Sequence, residues 1–166
     1  TEALQAAIQS GARRVIVPNM TRDWVVRPIR LASNQELVLE PGTVISAKRG
    51  EYREKGVAML SARGVENVVI RGYGATVKMN KLDYVAGHVL DELKWDRYFG
   101  MYPKAEWRMT LTIANAKNVR VEGLTLRDSG GDGIYIDGGT NVVIRDALCD
   151  NHYRQGMSII SADVLT

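Results

Sequence analysis

The chain has 166 residues, 45% hydrophobic and 25% charged, with a formal net charge of +3. This is the composition of a soluble globular chain, long enough for one domain with a real core. It excludes several classes: the lysines and arginines are scattered along the sequence rather than run together, which argues against a nucleic-acid partner, no apolar run approaches the roughly 20 residues that span a bilayer, and a single cysteine, Cys149, rules out an intrachain disulfide framework.

In chain order, residues 1–11 read as a short helix. Leu4, Ala7 and Ile8 share one face, Thr1 stands at the cap position and Gly11 at the stop. Val15-Ile16-Val17 reads as a strand closed by Pro18. Leu37-Val38-Leu39 and Val44-Ile45 flank Pro41-Gly42, and Val68-Val69-Ile70 is followed by Gly72 and Gly74. Short strands punctuated by Gly, Asn and Asp predict an all-β fold.

The second half repeats with a step of 23 residues. Asn118 maps to Asn141, Val121 to Ile144, Leu126 to Cys149, Gly133 to Gly156, Ile134 to Met157 and Ile136 to Ile159. Asn67-Val68-Val69-Ile70 and Glu36-Leu37-Val38-Leu39 look like earlier, looser rounds. Apolar residues recur at alternate positions, so each strand has one inward face. A single round cannot bury that face alone, so rounds must stack. Stacking would set Asn67, Asn118 and Asn141 above one another at a corner, where Asn tolerates a left-handed backbone. The expectation is an all-β right-handed parallel β-helix, a solenoid with coils of about 22–23 residues and a short N-terminal capping helix. It forms one domain over 1–166, with residues 80–108 inserted as a loop. Val164-Leu165 reads as the opening of a further strand, so the natural protein is expected to continue with more coils.

The stretches "EALQAAI…RRVIVP…PIRLASNQELVLEPGTVI" and "NVRVEGLTLRDSGGDGIYIDGGTNVVIRDALCDNHYRQGMSII" resemble the pectin-lyase-like superfamily. That resemblance implies a carbohydrate-active protein, with an active site in a groove on the outer surface of one stacked sheet. It also implies a polysaccharide or oligosaccharide partner, no cofactor, no membrane, a monomer, and an extracellular or periplasmic location. A glycoside hydrolase leads. A polysaccharide lyase or uronate epimerase follows, and a non-catalytic glycan-binding or tailspike-like β-helix is the third reading.

The residues that could carry chemistry follow from the same step. Tyr135, Asp137, Ser158 and Ile160 are expected to point outward, with Asp132, Arg154 and Gln155 at the leading edge. Asp132 matches the Asp of the polygalacturonase triplet, but Arg154 and Gln155 stand where that family carries an Asp pair. The second carboxylate that hydrolysis needs must then come from elsewhere. Glu106 is the first choice, with Asp128, Asp137 and Asp150 as others. Arg154 could clamp a carboxylate or hydroxyl, with His152 or Tyr135 as a base in the lyase reading. Trp95 and Trp107 are candidate sugar platforms, with Arg108 beside them as a second cation. No acidic cluster suggests a metal site.

Overall fold

The computed structural model describes residues 1–84 and 107–166. Helix α1 (Glu2–Gln9) leads into strands β1 (Arg14–Val17), β2 (Trp24–Val26), β3 (Ile29–Arg30), β4 (Gln35–Leu39), β5 (Val44–Ala47), β6 (Ala58–Arg63) and β7 (Glu66–Lys78). A single turn, α2 (Lys81–Tyr84), follows. Then come β8 (Met109–Arg127), β9 (Ile134–Arg145), β10 (Leu148–Asp150) and β11 (Met157–Leu165).

Helix α1 forms where the apolar spacing predicts it, with Leu4 and Ile8 buried. Thr1 occupies the cap position, but its hydroxyl makes no bond within the helix. It accepts the Arg27 N–H instead, at 2.8 Å. Gly11, at φ +80°, turns the chain out of the helix. Gln35 ties the helix exit to the sheet, donating to the carbonyls of Ile8 and Ala12.

The eleven strands form one sheet, and the pairings among the described residues are all parallel. The expected right-handed parallel β-helix of equal 22–23-residue coils is corrected by this topology. Partner offsets vary: 22 residues from Arg14 to Glu36, 33 from Leu37 to Ile70, 51 from Val68 to Val119, and 23 from Val119 to Val142. In place of three short strands per round, β8 runs 19 residues without a break. The sheet is open, and the equal step is lost because segments of unequal length intervene between paired strands. The longest intervening stretch holds α2 and the residues up to Arg108.

The pairwise register of the 23-residue step does hold. Ile134 and Ile136 pair with Met157 and Ile159, and Val119 and Val121 pair with Val142 and Ile144. Inward positions line up across the sheet as apolar rows: Val15, Leu37, Ile70 and Val121 make one, and Leu60, Leu111 and Ile134 another. Each such side chain contributes about 1.5–3 kcal/mol on burial. Cys149 pairs with Leu126 and packs half-buried against the core, where burial raises its thiol pKa. Met157 and Ile159, expected inward, are exposed. They lie on β11, which among the described residues pairs only with β9.

The asparagine corner is a hydrogen-bonded ladder. Asn67 Nδ2 donates to Asn34 Oδ1, Asn118 to Asn67, and Asn141 to Asn118, each at 2.8 Å. All four residues have φ between 53° and 58°, a conformation asparagine adopts more readily than most residues.

Candidate functional site

A pocket opens on the outer face of β6, β8 and β9. It has a volume of about 330 Å³, and its wall includes Lys55, Arg63, Trp107, Thr112, Tyr135 and Asp137. Register assembles it. Ser61, Thr112 and Tyr135 form one outward row, and Arg63, Ala114 and Asp137 the next. Trp107 stands just before β8 and is 50% exposed, leaving an indole face open to a ligand. Asp137 Oδ1 accepts the Ser161 hydroxyl at 3.0 Å. Lys55 and Arg63 have no ion-pair partner among the described residues.

Thr112 has the most informative environment. Its side chain is fully buried, yet its hydroxyl has no hydrogen-bond partner. Buried hydroxyls are satisfied in the great majority of cases. Thr112 itself lies in the wall of a cavity whose other side chains include aromatic, cationic and carboxylate groups, the lining expected of a small-molecule site.

Of the residues expected from the sequence, Tyr135, Asp137 and Trp107 come together in this pocket. Lys55, Arg63 and Thr112 were not anticipated. Thr112 was legible, since it lies 23 residues before Tyr135. Arg63 and Lys55 lie on the far side of the 51-residue offset, where the repeat gives no guidance. Glu106 and Trp95 fall outside the described residues.

Arg108 is not a pocket cation. It is fully buried, and donates from Nε to the Tyr52 carbonyl at 2.7 Å and from its terminal amine to the Arg53 carbonyl at 2.9 Å. Its guanidinium also lies over the Tyr84 ring, 5.2 Å from the centroid. Ser158 was expected to face outward but is buried, its hydroxyl donating to Gln155 Oε1 at 2.6 Å.

Asp132, Arg154, Gln155 and His152 form a second group, at the corner that precedes β9 and β11. Asp132 and Gln155 do stack: the Gln155 N–H donates to Asp132 Oδ1 at 3.2 Å. Arg154 Nε lies 3.6 Å from the same oxygen. Asp132 is fully buried, and its Oδ2 has no partner. Its own N–H donates to Met109 Sδ, and Met109 is part of the pocket wall. Asp132 therefore supports the wall at Met109, while Asp137 is the carboxylate in the pocket lining.

His152 is held by Ser129, whose Oγ lies 2.8 Å from Nδ1, and by Lys81, which donates to its carbonyl. Nε2 is buried without a partner. Burial lowers the imidazole pKa below its ordinary 6.5, partly offset by a backbone hydrogen bond and by Asp128, Asp132 and Asp150. A lowered folded-state pKa means that the unfolded chain binds the proton more tightly. The His152 contribution to stability is therefore complete above pH 6.5 and is lost as pH falls from there through the folded-state value. Melting temperature measured from pH 8 to pH 5 is expected to fall less steeply in His152→Gln than in the unaltered protein. Parallel profiles would contradict this assignment.

Among the described residues no helix is long and apolar enough to cross a membrane, and no group of three or more His, Cys, Asp or Glu is placed to hold a metal. No family model matches the sequence, nor does any curated protein. The resemblance to the pectin-lyase-like superfamily thus gains no support from those comparisons. Among solved structures, the chain is similar to a candidate glycosyl hydrolase from Parabacteroides merdae ATCC 43184. The identity is 19% and the TM-score 0.75, covering 99% of this chain and 74% of that one. At that identity the likeness shows a shared fold, extending over nearly every residue of the chain.

Proposed function

We propose that the protein acts on a carbohydrate, and that the sugar occupies the pocket between Trp107, Tyr135 and Asp137. The half-exposed indole of Trp107 beside the Asp137 carboxylate in one pocket carries this reading. The shared fold with a candidate glycosyl hydrolase supports glycosidic hydrolysis as the reaction. In that reading Asp137 is one of the two carboxyl groups required. Trp107 supplies the flat apolar face against which a pyranose ring packs.

A second reading is favoured by the wall itself. Among its described residues Asp137 is the one carboxylate, beside the two cations Lys55 and Arg63. That balance suits β-elimination on a uronate, with a cation neutralising the sugar carboxylate, Tyr135 taking the C5 proton, and the C4–O bond breaking as the departing oxygen gains a proton from solvent. Reducing ends released without an unsaturated product would support hydrolysis. Release with absorbance from an unsaturated product would support elimination.

Trp107→Ala tests the site in either case, and is expected to weaken oligosaccharide binding roughly tenfold, a change of about 1.4 kcal/mol. Thr112→Val is expected to raise stability by about 1 kcal/mol, because it removes a buried hydroxyl that has no partner among the described residues. A panel of neutral and acidic polysaccharides that neither bind nor are cleaved would overturn the proposal, as would binding unchanged in Trp107→Ala.

A further inference from the structure

Five arginines far apart in the sequence, Arg13, Arg14, Arg71, Arg120 and Arg145, are gathered by the fold onto one face. This face lies around the asparagine corner from the pocket and is built by β1, β4, the first half of β7, the middle of β8 and the end of β9. Register brings Arg14, Glu36, Val69, Arg120 and Val143 into one outward row. Arg71, Glu122 and Arg145 fall in the row beside it, with Val38. Arg13 borders the same strip, in a shallow groove that shares Asn67 and Val69 with a second groove lined by Arg120 and Val143. The two grooves form one continuous channel past the asparagine ladder.

The charge on this face is asymmetric in number and in depth. Five arginines stand against two glutamates, an excess equal to the formal net charge of the whole chain, +3. The carboxylates are the deeper groups. Glu122 is 1% exposed beneath Arg71, Arg120 and Arg145, at 3.0, 3.6 and 2.9 Å, and the arginines themselves are 40–57% exposed. Glu36 is similarly covered by Arg14 and Arg71. A guanidinium has five N–H donors in a fork, and one or two bonds to glutamate leave the others facing solvent. The outer layer of the strip is therefore cationic donors separated by valine and glutamate, with Arg14 and Arg120 three strands apart and Arg71 and Arg145 two strands apart, or about 14 and 10 Å at the usual strand spacing.

We propose that this strip is a docking surface for an acidic polysaccharide, separate from the pocket and independent of the reaction carried out there. Charge complementarity selects a polyanion, and the forked donors suit carboxylate or sulfate groups presented at intervals along a chain. The channel is shallow and follows one line of cations, which fits a single extended polymer. Single-stranded nucleic acid is held mainly by stacking on aromatic rings. The described lining of the two grooves holds none, and the nearby Tyr73 is tied through its hydroxyl to Asp146.

Affinity electrophoresis of the full chain in gels containing polygalacturonate tests the proposal, with dextran as the neutral control and poly(dT) as the nucleic-acid control. Retardation by polygalacturonate but not dextran is expected, weakening as salt is raised. Arg13→Gln combined with Arg120→Gln is the informative variant. Arg13 makes no ion pair among the described residues, and Arg120 is the most distant of the three cations on Glu122. The double variant is expected to reduce polygalacturonate affinity roughly tenfold or more. The double variant should leave the binding of short neutral oligosaccharides at the pocket unchanged, since neither arginine lines it, so failure of the pocket reading and failure of this one are told apart. Absence of retardation, retardation equal in the double variant, or tighter retention by poly(dT) would each overturn the proposal.

Discussion

Arg108→Ala is expected to lose about 3–5 kcal/mol of folding stability, read as a lower denaturant midpoint with unchanged slope. Three costs combine. The carbonyls of Tyr52 and Arg53 lose their donor, and each buried group left unsatisfied costs about 1–3 kcal/mol. The fully buried side chain leaves a void against the core. The Tyr84 ring loses the cation above it. Arg108→Lys is expected to recover less than half of the loss, because one ammonium on a flexible stem cannot reproduce the guanidinium fork. Trp107 precedes Arg108 directly, so the variant should also weaken oligosaccharide binding by releasing the pocket's aromatic wall. A loss below about 1 kcal/mol would show that Arg108 does not anchor this edge.

Arg108 also marks where sequence reasoning stops. It sits between Trp107 and a strand, among charged and aromatic residues, and reads as a surface cation. The carbonyls it bonds among the described residues lie 55 and 56 residues earlier, and nothing in the local pattern announces them. A buried arginine becomes visible only once the carbonyls that require it are placed. Asp132 and Ser158 are more enclosed than the sequence suggests, for a related reason. Alternation along a strand says which face a side chain leaves from, and nothing about what covers it afterwards. Met109, Arg154 and Gln155 close over Asp132, and Ser158 bonds to Gln155.

Where a device is repeated locally, the reading was sharp. Asn118 and Asn141 were placed one above the other because both need a left-handed backbone and both offer an amide to the next turn. Asn34 uses the same device and was missed, because 33 residues separate it from Asn67. The β-helix expectation failed on architecture: the earlier rounds, read as looser, are offset by 33 and 51 residues, and the paired strands form one open sheet. Tyr135 and Asp137 were legible as outward residues, and Thr112 follows from them by the same step. The arginine strip was not legible. Its members are far apart in sequence, and only the uneven register of β1, β4, β7, β8 and β9 collects them.

Gly133→Ala is expected to cost about 3 kcal/mol, and Gly156→Ala less than about 1, although the 23-residue step makes the two positions equivalent. A Cβ at Gly133 would lie 2.6 Å from the Gly156 carbonyl oxygen and closer still to His152 Nε2. The imidazole could swing away only by breaking its contact with Ser129. The carbonyl is less able to yield, since it accepts the Ile134 N–H at 3.0 Å. Gly133 itself is pinned from both sides, donating to the Gln155 carbonyl and accepting from Leu111 N–H. At Gly156 the nearest atom to a new Cβ is Cys149 Cβ at 3.1 Å, and an adjustment of a few tenths of an ångström at a half-buried side chain relieves it. The two clashes at Gly133 can be separated. His152→Ala in the Gly133→Ala background removes the imidazole but leaves the carbonyl, so it should restore part of the loss and not all of it. Full restoration would mean the backbone tolerates the methyl group. Equal losses at Gly133 and Gly156 would mean that the corner packing described for His152 and Ser129 is wrong.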